Sequence, residues 1–223
     1  MGMRRQHAYS LVAALVACAT TPAPKPDDMS AEQHREEAAR EGAAARQGLD
    51  DHAMRSRMWE TAAPQHADTR TRDEYGPAGP VVGPRGATPD LYLAHAHAVH
   101  ARQHEAAALE LERFESQECS GIPSGERSVC PLLRGAGVVA DVAGGIEIRF
   151  RDGAPVDDVQ RRMRCHFAYA RARGFDEADG CALYLKGIEI GRTDARVIRI
   201  TAGDPQTTAR LRTAGREQVP AVR

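Results

Sequence analysis

Ile146-Glu147-Ile148-Arg149-Phe150-Arg151 alternates apolar and charged residues at period two. In a strand, that pattern sends Ile146, Ile148 and Phe150 to one face and the charges to the other, so it predicts a half-buried strand. Upstream, Gly137-Val138-Val139-Ala140-Asp141-Val142 runs into Gly144-Gly145, which reads as a first strand and a turn, and Asp152-Gly153 ends the second strand. The spacing of Val156, Val159, Met163, Phe167 and Ala170 then predicts a helix from about Pro155 to Arg173. Asp157 and Asp158 near its start and Arg171 and Arg173 near its end complement the helix dipole. Strands over 182–190 and 195–202, turned by Gly191 to Asp194, should follow, and Asp204-Pro205 should open a last short helix.

A weak self-similarity at an offset of 50 residues ties these elements together. Gly137-Val138 aligns with Gly187-Ile188, Ile148-Arg149-Phe150 with Ile198-Arg199-Ile200, and Gly153-Ala154-Pro155 with Gly203-Asp204-Pro205. The expected fold class is therefore α+β: an antiparallel sheet of about four strands with helices on one face, built as a ββα-ββα repeat and preceded by a long helix.

The N-terminus carries an address. Arg4 and Arg5 precede an apolar run from Ala8 to Ala17 that ends at Cys18. A basic start followed by a short apolar run is the layout of a secretory signal peptide, and the run falls well short of the ~20 residues a bilayer span needs. Leu15-Val16-Ala17-Cys18 resembles the lipobox of bacterial lipoproteins. That resemblance implies a diacylglyceryl group on the Cys18 thiol, cleavage before it, and a mature chain held by several acyl chains, which anchor far more firmly than one. With Ala19 rather than Asp after the cysteine, the resemblance implies a lipid-anchored protein of the cell envelope, in the outer membrane and facing the periplasm. The cysteine-bearing C-terminal half also resembles small domains of bacterial lipoproteins, a likeness that implies no activity.

The expected organisation is a signal peptide (1–17), a Pro-rich tether (18–29), an Ala/Glu/Arg-rich helix that buries little (30–60), and a Pro/Gly-rich linker (61–90). A histidine-bearing helix (91–118) and a disulfide-tied α+β domain (119–218) complete it. Ser30 and Gln33 form a capping-box pattern at the start of the first helix.

Besides Cys18, the cysteines are Cys119, Cys130, Cys165 and Cys181. An even number in an exported domain reads as two disulfides among three connectivities. Sequence proximity favours Cys119–Cys130 and Cys165–Cys181. One objection stands: Cys165 is about 200° round the helix from Met163, away from the apolar stripe, which leaves Cys119 or Cys130 open as its partner. No Cys-x-x-Cys pair argues for a metal or redox motif, and Cys165-His166 cannot act as a dyad, because adjacent helical side chains diverge by about 100°.

His95, His97, His100 and His104 lie within ten residues. His97, His100 and His104 are spaced by three and four, so they share a helical face on which two imidazoles could chelate Zn or Cu(II). They also continue an apolar seam running Leu93, His97, His100, His104, Ala107, Leu111 and Phe114. The plainer expectation is therefore a packed helix, offering a surface for self-association.

Thirty Lys+Arg balance 31 Asp+Glu, which argues against a nucleic-acid partner. Lysine occurs only at 25 and 186 and asparagine not at all, the mark of a GC-rich coding sequence. The run Arg161, Arg162, Arg164, Arg171 and Arg173 is therefore read as a solvated face before it is read as a binding patch. No nucleophile-elbow, P-loop, zincin or dinucleotide motif occurs, so no enzyme and no cofactor are expected, Zn or Cu on the histidines excepted. The leading expectation is an envelope lipoprotein whose non-catalytic domain contacts an envelope protein or cell-wall partner. Metal binding or sensing by the histidine cluster is the rival.

Overall fold

The computed structural model describes residues 23–62, 89–133, 137–175 and 180–220. The expected signal peptide, the lipidation site Cys18 and nearly all of the expected linker lie outside them. Five helices are found among the described residues: α1 (Ala31–Ala62), α2 (Pro89–Glu118), a single turn α3 (Ser124–Arg127), α4 (Val156–Ala172) and α5 (Pro205–Gln218). The strands are β1 (Gly137–Val142), β2 (Gly145–Phe150), β3 (Ile188–Asp194) and β4 (Val197–Ala202). The protein is α+β. Its described residues divide into two compact units, one lying within Arg35–Glu105, the other within Lys25–His34 and Ala106–Arg223.

The first unit is an antiparallel helical hairpin, as the pairs Glu41–His97, Gly48–Ala94 and Arg55–Asp90 require. Small residues set its spacing: a Cβ on Gly48 would stand 3.0 Å from that of Ala94. Leu49, Met54 and Met58 are exposed. These three of its larger apolar side chains are therefore left out of any core.

In the second unit the sheet order is β1-β2-β4-β3, antiparallel throughout. Ile146, Ile148 and Phe150 of β2 and Ile198 and Ile200 of β4 share one buried face with Met163 and Ala170 of α4 and Leu211 of α5. Helices α4 and α5 therefore cover the same side. On the opposite face Glu147 accepts from Arg199 Nε at 2.9 Å across β2 and β4.

The repeat is present in the topology. At an offset of 50, Ile148 corresponds to Ile198, and these two residues are paired directly, as a pseudo-two-fold axis between β2 and β4 demands. The outer strands break the offset. Phe150 pairs with Gly137, whereas its counterpart Ile200 pairs with Ile190, so the expected match of Gly137 with Gly187 is out of register by three residues. The second turn, Ala195-Arg196, lies closer to the axis than Ala143-Gly144, and the pairing slips again between Arg192 and Asp194.

A second correction concerns the third strand, expected over 182–190 with a turn from Gly191 to Asp194. Ala182–Tyr184 instead form a buried 3-10 turn, and the strand begins only at Ile188, after Gly187 at φ 78°. Apolar content cannot separate the two conformations, because both bury Leu183 and Tyr184. The tether also ends earlier than expected. Lys25–Met29 docks on the second unit, where Asp27 Oδ1 accepts from Arg171 Nε at 2.5 Å and its carbonyl accepts from Lys186.

The caps follow the sequence. Ser30 and Gln33 satisfy each other's backbone N–H groups at 2.8 and 3.1 Å. Asp204 caps α5 by accepting from the Thr207 N–H at 2.8 Å, with Pro205 at the first helical position. The Thr207 hydrogen bonds hold the Asp204 carboxyl below the usual carboxylate range. Its stabilising effect is thus present above the unfolded carboxylate pKa and lost as pH falls through the lowered folded value.

Gly145 is the tightest point of the sheet: an added Cβ would stand 1.9 Å from the Ile200 carbonyl oxygen, whereas Gly191 has open space around it. Gly145→Ala should therefore cost at least the about 1–3 kcal/mol of core overpacking. Gly191→Ala should leave the denaturant midpoint within about 0.5 kcal/mol of wild type. Chemical denaturation of the two variants side by side checks this.

Candidate functional site

Helix α4 is where sequence-distant chemistry converges. Its expected stripe packs on the sheet through Val156, Met163 and Ala170, with Val159 and Phe167 partly buried beside them. Cys165, His166, Ala168 and Ala172 are buried as well, so the helix is covered on further sides. The end of α2 and the segment after it provide that cover. Ala31, Leu111 and Ala172 form one small apolar cluster, and Cys119, Ile122 and Cys165 another.

The disulfides are Cys119–Cys165 and Cys130–Cys181, with Cα–Cα distances of 4.5 and 5.9 Å. This overturns the pairing that sequence proximity favoured and upholds the objection to it: Cys165, pointing away from the stripe, meets Cys119 at the end of α2. The two crosslinks close interleaved spans of 46 and 51 residues. In the chain-entropy model each is worth about 4 kcal/mol, against about 3 for the short loops expected, and interleaving makes the two less than additive.

His166, the neighbour of Cys165, turns about 100° further round the helix and reaches the other disulfide. Its ring, one sulfur of Cys130 and one of Cys181 place three ligand-type atoms within 4.8 Å of one another, all on buried residues. The Nδ1–H donates to the Arg127 carbonyl oxygen at 2.7 Å, and Tyr184 meets the ring edge-on with centroids 4.9 Å apart. Since a carbonyl can only accept, this bond places a proton on Nδ1. Gln218 stands on the same cluster: its Oε1 accepts from the Ala182 N–H at 2.9 Å and lies 3.9 Å from Cys130 Sγ. Cys181 also lines a surface groove of about 440 Å³ between α5 and the Ala182–Tyr184 turn, together with Phe175, Tyr184, Leu185, Thr213 and Ala214.

The helix histidines are placed differently. His97 Nδ1 lies 2.6 Å from Glu41 Oε2, His104 is buried and His100 is half-buried. The buried residues along α2 are Ala94, His104, Ala107, Ala108 and Leu111, so the inward seam is turned slightly from the expected one. His97, His100 and His104 do not form a close three-atom group. Among the described residues that arrangement is found at Cys130, His166 and Cys181. No local spacing points to it, because His166 lies 36 and 15 residues from its two neighbours.

The basic run on α4 is consumed by pairing within the second unit. Arg161 and Arg162 bind Asp158, Arg162 also binds Glu126, and Arg164 pairs with Glu118 at 2.6 Å. Arg171 pairs with Asp27 and Arg173 with Glu115 at 3.3 Å. The hydrogen bonds from Arg162 and then Arg161 hold the Asp158 carboxyl below its ordinary range. Such exposed pairs contribute little each.

Comparison of the chain with protein-family models, curated proteins and solved structures returned no match.

The disulfide pairing is directly checkable. Cleavage after Arg113, Arg127, Arg134, Arg164, Arg171, Arg173 and Lys186 puts each of the four cysteines on its own tryptic peptide. Non-reducing digestion should yield 114–127 linked to 165–171 and 128–134 linked to 174–186. Linkage of 114–127 to 128–134 would restore the pairing that sequence proximity suggests.

Proposed function

We propose that the protein is a lipid-anchored lipoprotein of the bacterial cell envelope whose disulfide-tied α+β domain is a non-catalytic interaction module facing the periplasm. The observation that carries this reading is the pair of long-range disulfides, which use Cys119, Cys130, Cys165 and Cys181 and leave Cys18 as the cysteine outside them. Crosslinks of this kind persist in oxidising compartments. Cys18 stands at the end of a signal-like run with lipobox character, so the cysteine usage divides into one acylation site and two structural bonds. No helix among the described residues is long and apolar enough to cross a membrane, so a lipid would supply the attachment.

Acyl-labelling and membrane fractionation test the anchor. The wild type should incorporate labelled palmitate and pellet with membranes. Cys18→Ala should lose the label and accumulate as unprocessed precursor. Soluble, unlabelled mature protein made from the unmutated chain would end the proposal.

One observation favours a second reading, metal binding on α2. The Glu41 carboxylate on His97 Nδ1 is the support that orients a ligating imidazole. On this reading the oxidised protein binds Zn or Cu(II) at micromolar or tighter affinity, and the triple variant His97→Ala/His100→Ala/His104→Ala abolishes it. Identical titrations for the two proteins would exclude a metal at these histidines.

A further inference from the structure

The cluster at Cys130, Cys181 and His166 has the composition of a metal site with its two sulfurs joined. Both sulfurs and a ring nitrogen lie within 4.8 Å of one another, on three buried residues from three different segments. The imidazole is already held as a ligand would be: Nδ1–H donates to the Arg127 carbonyl at 2.7 Å, which orients the ring. Gln218 braces the segment carrying Cys181 through the Ala182 N–H, and Cys181 lines the surface groove.

We infer that this cluster is a redox-gated site for a thiophilic metal ion, zinc above all, in which the sulfur–sulfur bond and the metal are alternative occupants. The gate is a thiol–disulfide exchange with a dithiol reductant. One dithiol sulfur attacks Cys181 on its groove side, the Cys130–Cys181 bond breaks, and the Cys130 sulfur leaves and takes up a proton. The second dithiol sulfur then displaces Cys181, so the reductant closes into its own disulfide while two electrons and two protons pass to the chain. On binding Zn²⁺ the two thiols release those protons to solvent.

Geometry and charge favour the exchange. Two Zn–S bonds of about 2.3 Å at a tetrahedral angle hold the sulfurs about 3.8 Å apart, a small opening from the bonded state for residues whose Cα atoms are 5.9 Å apart. Zn²⁺ with two thiolates and a neutral imidazole carries no net charge, which suits a site where His166 is only 1% exposed. The three protein ligands leave one tetrahedral position for water.

The test uses the purified full chain, reduced with a phosphine, desalted without oxygen and titrated with zinc against a chromophoric chelator. Reduction should create one site per chain that binds zinc at least about 100-fold more tightly than the oxidised protein does. Cobalt(II) should give thiolate-to-metal charge-transfer absorption. His166→Gln should weaken zinc binding at least about tenfold, since an imidazole ligand is lost. His97→Ala/His100→Ala/His104→Ala should leave the reduction-dependent site unchanged, which separates it from any metal on α2. X-ray absorption of the zinc-loaded, reduced wild type reads the ligands without any substitution, and two sulfurs with an imidazole support the inference. Four sulfurs, no sulfur, equal affinity before and after reduction, or a reduced chain that unfolds and is not restored by zinc would each overturn it.

Discussion

The bond between Cys119 and Cys165 fastens the end of α2 to the middle of α4, on a side of α4 that the sheet does not cover. A helix whose apolar stripe is satisfied on one side would ordinarily leave its other faces to solvent. Here the covalent tie, the Ala31–Leu111–Ala172 contact and the pairs of Glu118 with Arg164 and Glu115 with Arg173 give α4 a second packed side. The position of His166 follows from that arrangement, because once Cys165 faces α2 its neighbour is turned towards the two segments joined by the Cys130–Cys181 bond.

This construction suits a domain with limited apolar material. Its core rests on a few isoleucines from the two central strands and small residues from the helices. Two interleaved crosslinks constrain the unfolded chain over long spans, supplying stabilisation that a larger core would otherwise provide. The arginines of α4 contribute through geometry more than through energy: Arg162 and Arg164 reach Glu126 and Glu118 on neighbouring segments, and Arg171 reaches back to Asp27 while stacking over Phe114 with 4.9 Å from its Cζ to the ring centroid.

Much of the fold was legible in the sequence where a local rule governs it. The period-two alternation around Ile148 marked β2, Gly144-Gly145 marked the turn, and Ser30 with Gln33 and Asp204 with Pro205 marked helix starts, because these signals act over a few residues. The third strand was misplaced since Leu183 and Tyr184 satisfy the same burial in a 3-10 turn as in a strand. The repeat was readable only at its centre, where the pseudo-two-fold pairs Ile148 with Ile198; its edges depend on turn placement and a register slip.

The sequence by itself determined the α+β class, the capped helices, the half-buried sheet and the presence of four cysteines suited to crosslinking. These follow from backbone preference and the side-chain period, properties that need no knowledge of distant residues. Only the tertiary structure decided which cysteines meet, which face of α4 each neighbour claims, and that His166 stands beside the Cys130–Cys181 bond. The physical reason is the helix itself: 100° between adjacent residues sends Cys165 and His166 to different neighbours, and those neighbours are chosen by packing between segments far apart in the chain.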